Sequence, residues 1–165
     1  ERFRSVLVEE GRALQVVSAY VDLNPVRAGL VSDPKDYRFC GYGESCARTA
    51  KGRDGFRFLG CDPRQYRVLL FGTGSSEKEG RASVGRAAAL KVIEQENGRL
   101  PMATLLRLRV RYLTEGRILG SREFVLRMSG DPPGETKPKS RPYAPRGSDW
   151  GGLTILGGLH KRAFG

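Results

Sequence analysis

The string "SAYVDLNPVRAG", residues 18–29, places a phenol at Tyr20 and a carboxamide at Asn24. At positions i and i+4 of a helix the two side chains share one face, about 6 Å apart at Cβ. A tyrosine hydroxyl, with a pKa of about 10 for the free side chain, is a poor nucleophile until a nearby cation stabilises its anion. A hard divalent cation accepts amide oxygens as ligands and also polarises a scissile phosphate. The pair is therefore coherent as nucleophile and metal ligand in an attack on a phosphodiester. The same residues equally fit a packed tyrosine followed by a helix stop, because Pro25 disfavours helix at Asn24. Spacing alone leaves both readings open.

Other chemistry is limited by what the chain contains. Its single histidine, His160, excludes histidine-based acid–base catalysis, Ser–His or Cys–His pairs and multi-histidine metal sites within this sequence. No phosphate-binding glycine loop of the Walker or dinucleotide type is present. Asp22, Asp33 and Asp36 have no spacing that separates them from ordinary surface charge. Cys40, Cys46 and Cys61 are odd in number and form no C-x-x-C pair, which points to a reduced, cytoplasmic setting without disulfides or structural zinc.

The bulk charge gives a partner class. Lys and Arg total 29 against 18 Asp and Glu, a formal net charge of +11 over 165 residues. A small chain this basic is expected on a polyanion, nucleic acid first and an acidic membrane surface second. Arginine dominates the excess and suits forked contacts to phosphate. The bland alternative is a solvated basic surface from a GC-rich genome. No apolar run approaches membrane-spanning length, and no signal peptide is visible. The sequence opens on Glu1, without methionine, inside what reads like a structured segment, so a fragment of a longer protein is expected.

Several elements must position these residues. "RFRSVLV", residues 2–8, is either a strand or the start of a helix, and Glu9 and Glu10 suit a helix's first turn. Leu14, Val17 and Val21 recur at helical spacing, with Ala13, Val16 and Tyr20 on a neighbouring stripe. The helix ends or kinks across "NPVRAG". Residues 31–55 read as a long loop rich in Gly, Asp and Ser, with Tyr37, Phe39 and Tyr42 as an aromatic trio that either pins the loop or stacks unpaired bases. Pro63 opens a helix through "RQYRVLLF", and "EGRASVGRAAALKVIEQENG" predicts another that stops at Asn97–Gly98. "LPMATLLRLRVRYL" favours helix over strand, "TEGRILG" reads as a turn, and Ser121 is a good N-cap for "REFVLRM". Helix, turn and short helix give a helix-turn-helix outline. Residues 130–149, rich in Pro, Gly and Ser, read as a flexible, disordered linker before a tail over 150–165.

"RFRSVLVEEGRALQVVSAYVDLNPVRAGLVSDPKDYRFCGY" closely resembles the tyrosine-helix half of the HUH single-tyrosine transposases, in particular the REP-associated ones. The family pattern there is similar to "RFKS-LV…Y-x-x-x-NPVRAGLV…P-x-x-Y-x-x-S-x-Y", and the match covers roughly the first 42 residues. "RVRYLTEGRILGSREFV" and "RPYAPRGSDWGGL" look like the C-terminal extension of some members. The resemblance implies a transposase that cuts and joins single-stranded or hairpin DNA, with Tyr20 linked to the 5′ phosphate and Asn24 assisting two histidines on Mg2+ or Mn2+. It also implies a bacterial, nucleoid-associated protein of the cytoplasm, with a homodimer left open. Arg2, Arg4 and Arg27 flank the tyrosine helix and Arg107, Arg109 and Arg111 lie in the extension, all as candidate DNA contacts. The expected architecture is α+β in the parent, a ferredoxin-like domain, but mostly α-helical in this chain. Residues 1–50 would be the end of the catalytic domain and 51–129 a basic helical extension. Two departures stand out: the family's His-x-His segment has no counterpart here, and "RFCGY" replaces a usual "WSS" turn. A chain without those histidines is expected to bind DNA better than it cuts it, and a non-catalytic nucleic-acid-binding module or a decayed remnant is the alternative.

Overall fold

A computed structural model describes residues 5–72, 91–95, 98–108, 110–130 and 141–157. The chain is mostly α-helical, as expected, and its described residues carry one small three-stranded sheet. Strand β1 is Leu7–Val8, and it leads through a turn into α1, Arg12–Asp22. The helix is interrupted at Leu23 and resumes for one turn as α2, Asn24–Arg27. Pro25 sits in the first turn of α2, where its missing N–H is harmless, and Gly29 at φ 71° ends the run.

Residues 31–55 are not the long loop that their glycines and polar residues suggest. A 3-10 turn at Pro34–Asp36 leads to α3, Gly41–Cys46, and then α4, Ala50–Leu59. The reason is packing. A Cβ on Gly52 would lie 2.5 Å from the Ser45 amide nitrogen, so glycine is what lets α4 lie this close to α3. Helix α5, Pro63–Phe71, opens on Pro63 behind an Asp62 cap and closes on Gly72 in the left-handed region, as its sequence predicts. The predicted helix before Asn97 lies largely outside the described residues, apart from a π-helical turn at Lys91–Gln95.

"LPMATLLRLRVRYL" is helical but broken, with α6 at Met102–Leu106 and α7 at Tyr112–Glu115. The stretch that follows is a correction: Ile118–Gly120 is not a turn but β2, the central strand of the sheet. It pairs in parallel with β1, Leu7 against Ile118, and antiparallel with β3, Thr154–Leu156. The helix-turn-helix outline is therefore not what connects α7 to α8, Arg122–Met128. Ser121 caps α8 as predicted, its Oγ accepting from the Phe124 amide at 3.1 Å. Glu9 departs from its expected place in a helix start. Its carboxylate instead accepts from the Ser121 hydroxyl at 2.9 Å and the Ser121 amide at 2.5 Å, tying β1 to α8.

The buried face of α1 is Ala13, Val16, Ala19 and Tyr20, not the Leu14–Val17–Val21 stripe, of which Val21 is 53% exposed. One main cluster joins this face to Leu70 of α5, Leu105 and Leu106 of α6, Val110, Leu119 and Ile155. Residues 141–157, expected as the end of a linker and the start of a tail, pack on that core. Tyr143 bridges Ile155 through backbone bonds of 3.0 and 2.9 Å, and Trp150 is buried with its indole N–H on the Arg146 carbonyl. A few large rings in a Pro- and Gly-rich segment suffice to anchor it, because each buries far more apolar area than its neighbours.

Candidate functional site around Tyr20 and Asn24

The break at Leu23 sets the geometry at the end of α1. Tyr20 is on the last full turn, and only 6% of it is exposed. Asn24 begins the next turn and faces solvent. Between them lies Arg27, at i+7 from Tyr20 and i+3 from Asn24. Its guanidinium carbon stands 3.9 Å from the centroid of the Tyr20 ring. Nη2 donates to the Tyr20 carbonyl at 2.6 Å and also to the Asn24 Oδ1. Nη1 donates to the Leu106 carbonyl at 2.7 Å, which fastens the tyrosine helix to α6. Burial holds the guanidinium below its usual pKa, and the nearby Tyr20 partly offsets this. Arg27 thus covers the phenol's ring and occupies the amide oxygen at once.

That arrangement bears on a metal. The residues present do not by themselves fit a divalent cation: Asn24 offers one neutral oxygen, and that oxygen already accepts from a fixed positive group. Among the described residues there is no cluster of three His, Cys, Asp or Glu side chains. His160 lies outside the described residues, as do Arg2, Arg4 and Arg109.

The other predicted arginines have internal partners. Arg107 is half-buried against the Phe71 ring at 5.3 Å, and burial lowers its pKa despite the Asp33 carboxylate nearby. Arg111 pairs with Glu115 at 3.7 Å, one helical turn away. Phe71 is shared, because Arg67 lies over the same ring at 4.4 Å. Arg67 then donates to the Tyr42 hydroxyl at 2.9 Å and pairs with Asp33 at 3.2 Å. Contacts therefore run from Arg27 through Leu106, Arg107, Phe71 and Arg67 to Tyr42, a line of cations and rings along one side of α5.

Two acids read as surface charge are core residues. Asp33 is 3% exposed and Asp22 5% exposed. Asp22 Oδ2 accepts from the Tyr66 hydroxyl at 2.8 Å and from the Tyr42 amide at 3.2 Å. Burial raises its pKa above the ordinary carboxylate value, against the lowering effect of Tyr66, Tyr42, Gly41 and Cys40 as donors. Tyr66 is driven far above the phenol range, by its own burial first and then by Asp22. A sequence signal for Asp22 existed: it lies three residues past Ala19, on the buried stripe. Its carboxylate borders an open, largely apolar groove of about 550 Å³ lined by Leu14, Val17, Phe39 and Phe58. Of the aromatic trio, Tyr42 is buried whereas Phe39 is 72% exposed under the Arg38 guanidinium.

Comparison with known protein families, curated protein sequences and solved structures finds no match to this chain.

Proposed function

We propose that this chain is the tyrosine-helix part of an HUH-type transposase that binds single-stranded or hairpin DNA. The observation that carries the reading is the Arg27 guanidinium, which lies over the Tyr20 ring and holds Asn24 at the same time. A cation placed between a phenol and an amide is where a phosphodiester would dock. In the proposed reaction the Tyr20 oxygen attacks phosphorus, the bond to the 3′ oxygen breaks, and a 5′-phosphotyrosine link conserves the energy without ATP. A phosphate that engaged Arg27 would draw it off Asn24 and expose the phenol. Mg2+ or Mn2+ would belong to the proposed whole enzyme.

A second reading, a DNA-binding module without catalysis, is favoured by the burial of Tyr20 and the single histidine of the chain. One experiment separates the two. Labelled hairpin DNA is incubated with the protein and magnesium or manganese, then denatured. A covalent adduct that disappears in Tyr20→Phe supports the transesterase, while salt-sensitive binding without an adduct supports the module. An adduct that persists in Tyr20→Phe removes Tyr20 as nucleophile, and affinity that is flat with salt removes DNA phosphate contact altogether.

A further inference from the structure

The α3–α4 corner contains a backbone anomaly. Helix α3 closes with the Arg48 amide on the Ser45 carbonyl at 2.9 Å and the Thr49 amide on the Glu44 carbonyl at 3.2 Å. This double closure places the residue after the cap in the left-handed region, a position that glycine usually fills. Gly60 and Gly72 fill it at the ends of α4 and α5. At α3 it is Arg48, at φ 56°, the one non-glycine residue with positive φ among those described. A strained conformation that glycine would relieve, held by a long cationic side chain, points to a use for that side chain.

The surroundings suggest which use. Arg48 and Arg53 both line a cavity of about 450 Å³, together with Ser45 and an apolar floor of Tyr42, Phe56 and Pro63. Arg53 is anchored by one nitrogen, Nη1 on the Arg48 carbonyl at 2.6 Å, which leaves the rest of its fork for a ligand. Neither guanidinium is paired with a carboxylate among the described residues. The nearest acids in sequence are engaged elsewhere, Asp54 with Arg57 and Glu44 with Thr49. Arg67 fixes the floor from behind through the Tyr42 hydroxyl.

We propose that this corner is a nucleotide site for single-stranded nucleic acid. A backbone phosphate is held between Arg48 and Arg53, and the adjoining sugar or base lies on the apolar floor. Two arginine forks suit phosphate oxygens, and an aromatic floor accepts any base without sequence preference. The inference rests on the proposed function only in choosing nucleic acid as the polyanion. It adds a second anchoring point, linked to Tyr20 by the line of cations along α5.

The test uses a fluorescent 15-nucleotide oligothymidine titrated with the protein across a range of salt. Arg48→Gly is expected to act in opposite directions on fold and binding. Glycine relieves the positive φ and raises Tm by about 2–4 °C. Loss of one phosphate contact flattens the log–log salt dependence by about 0.7 and weakens binding about fivefold at 0.1 M salt. Arg48→Gly with Arg53→Gln is expected to double the change in slope. Cys46, an exposed thiol lining the same cavity, reports occupancy, and its alkylation is expected to slow when the oligonucleotide is bound. The proposal is overturned by unchanged binding in Arg48→Gly, by Cys46 alkylation at the free rate in the complex, or by an equal loss in Arg127→Ala on α8. Neither Tyr20 nor a metal enters these measurements, so their failure leaves the adduct experiment standing, and the converse holds.

Discussion

Replacing Tyr66 by Phe removes one oxygen and nothing else from the core. That hydroxyl donates to Asp22 at 2.8 Å inside a site where the carboxylate is 5% exposed. The ring keeps its edge-on contact with Phe56 at 5.0 Å, so the change is electrostatic rather than steric. A hydrogen bond to an ionised, buried group contributes about 1.5–3 kcal/mol. The Tyr42 amide at 3.2 Å remains as a longer donor. The expected cost at neutral pH is thus about 2 kcal/mol, or about 4–8 °C in Tm for a chain of this length. The pH dependence has a definite sign. Burial raises the Asp22 pKa in the folded state, so its contribution to stability is fully present below the unfolded pKa and is lost as pH rises through the folded value. Losing the Tyr66 donor raises the folded pKa further, so the variant's deficit grows as pH rises through that window. Urea unfolding of both proteins between about pH 4 and pH 8 measures it. A deficit that is flat with pH, or a cycle with Asp22→Asn showing coupling below about 0.5 kcal/mol, would refute the hydrogen bond to charge as the cause.

Three further outcomes follow from packing. Gly52→Ala puts a methyl within 2.6 Å of the Glu44 carbonyl and is expected to cost about 1–3 kcal/mol by thermal unfolding, as overpacking does. Ser121→Ala removes the α8 cap and the hydroxyl partner of Glu9, with an expected loss of about 1–2 kcal/mol and no change in the unfolding m-value. Arg27→Ala uncovers the Tyr20 ring, and nitration followed by mass spectrometry is expected to modify Tyr20 faster than in the unaltered chain.

What could be read from the sequence was local. Ser121, Pro63 and the break across "NPVRAG" carry their signals within four residues, and each stands where it was expected. The strand at Ile118–Gly120 has no such signal, because its partners lie at Leu7 and Leu156 and only three residues pair. Gly43 and Gly52 look like loop formers, yet their lack of a side chain lets α3 pack on the Tyr37 backbone and α4 on α3. Distinguishing the two uses requires knowing the neighbour. At the candidate site Tyr20 and Asn24 were suggested by spacing, but Arg27's position between them depends on where Leu106 presents its carbonyl. The Arg48–Arg53 corner was hidden for the same reason, since a backbone angle decides it.

The sheet's strand order also imposes a timetable on synthesis. β1 emerges from the ribosome first, but β2 and β3 follow only at Ile118 and Thr154. At about 5–20 residues per second, Val8 waits roughly 7–30 s for Ile155. Through that interval the three strands cannot all be paired. A premature stop near residue 140 would release a product that lacks β3 and can never complete this sheet.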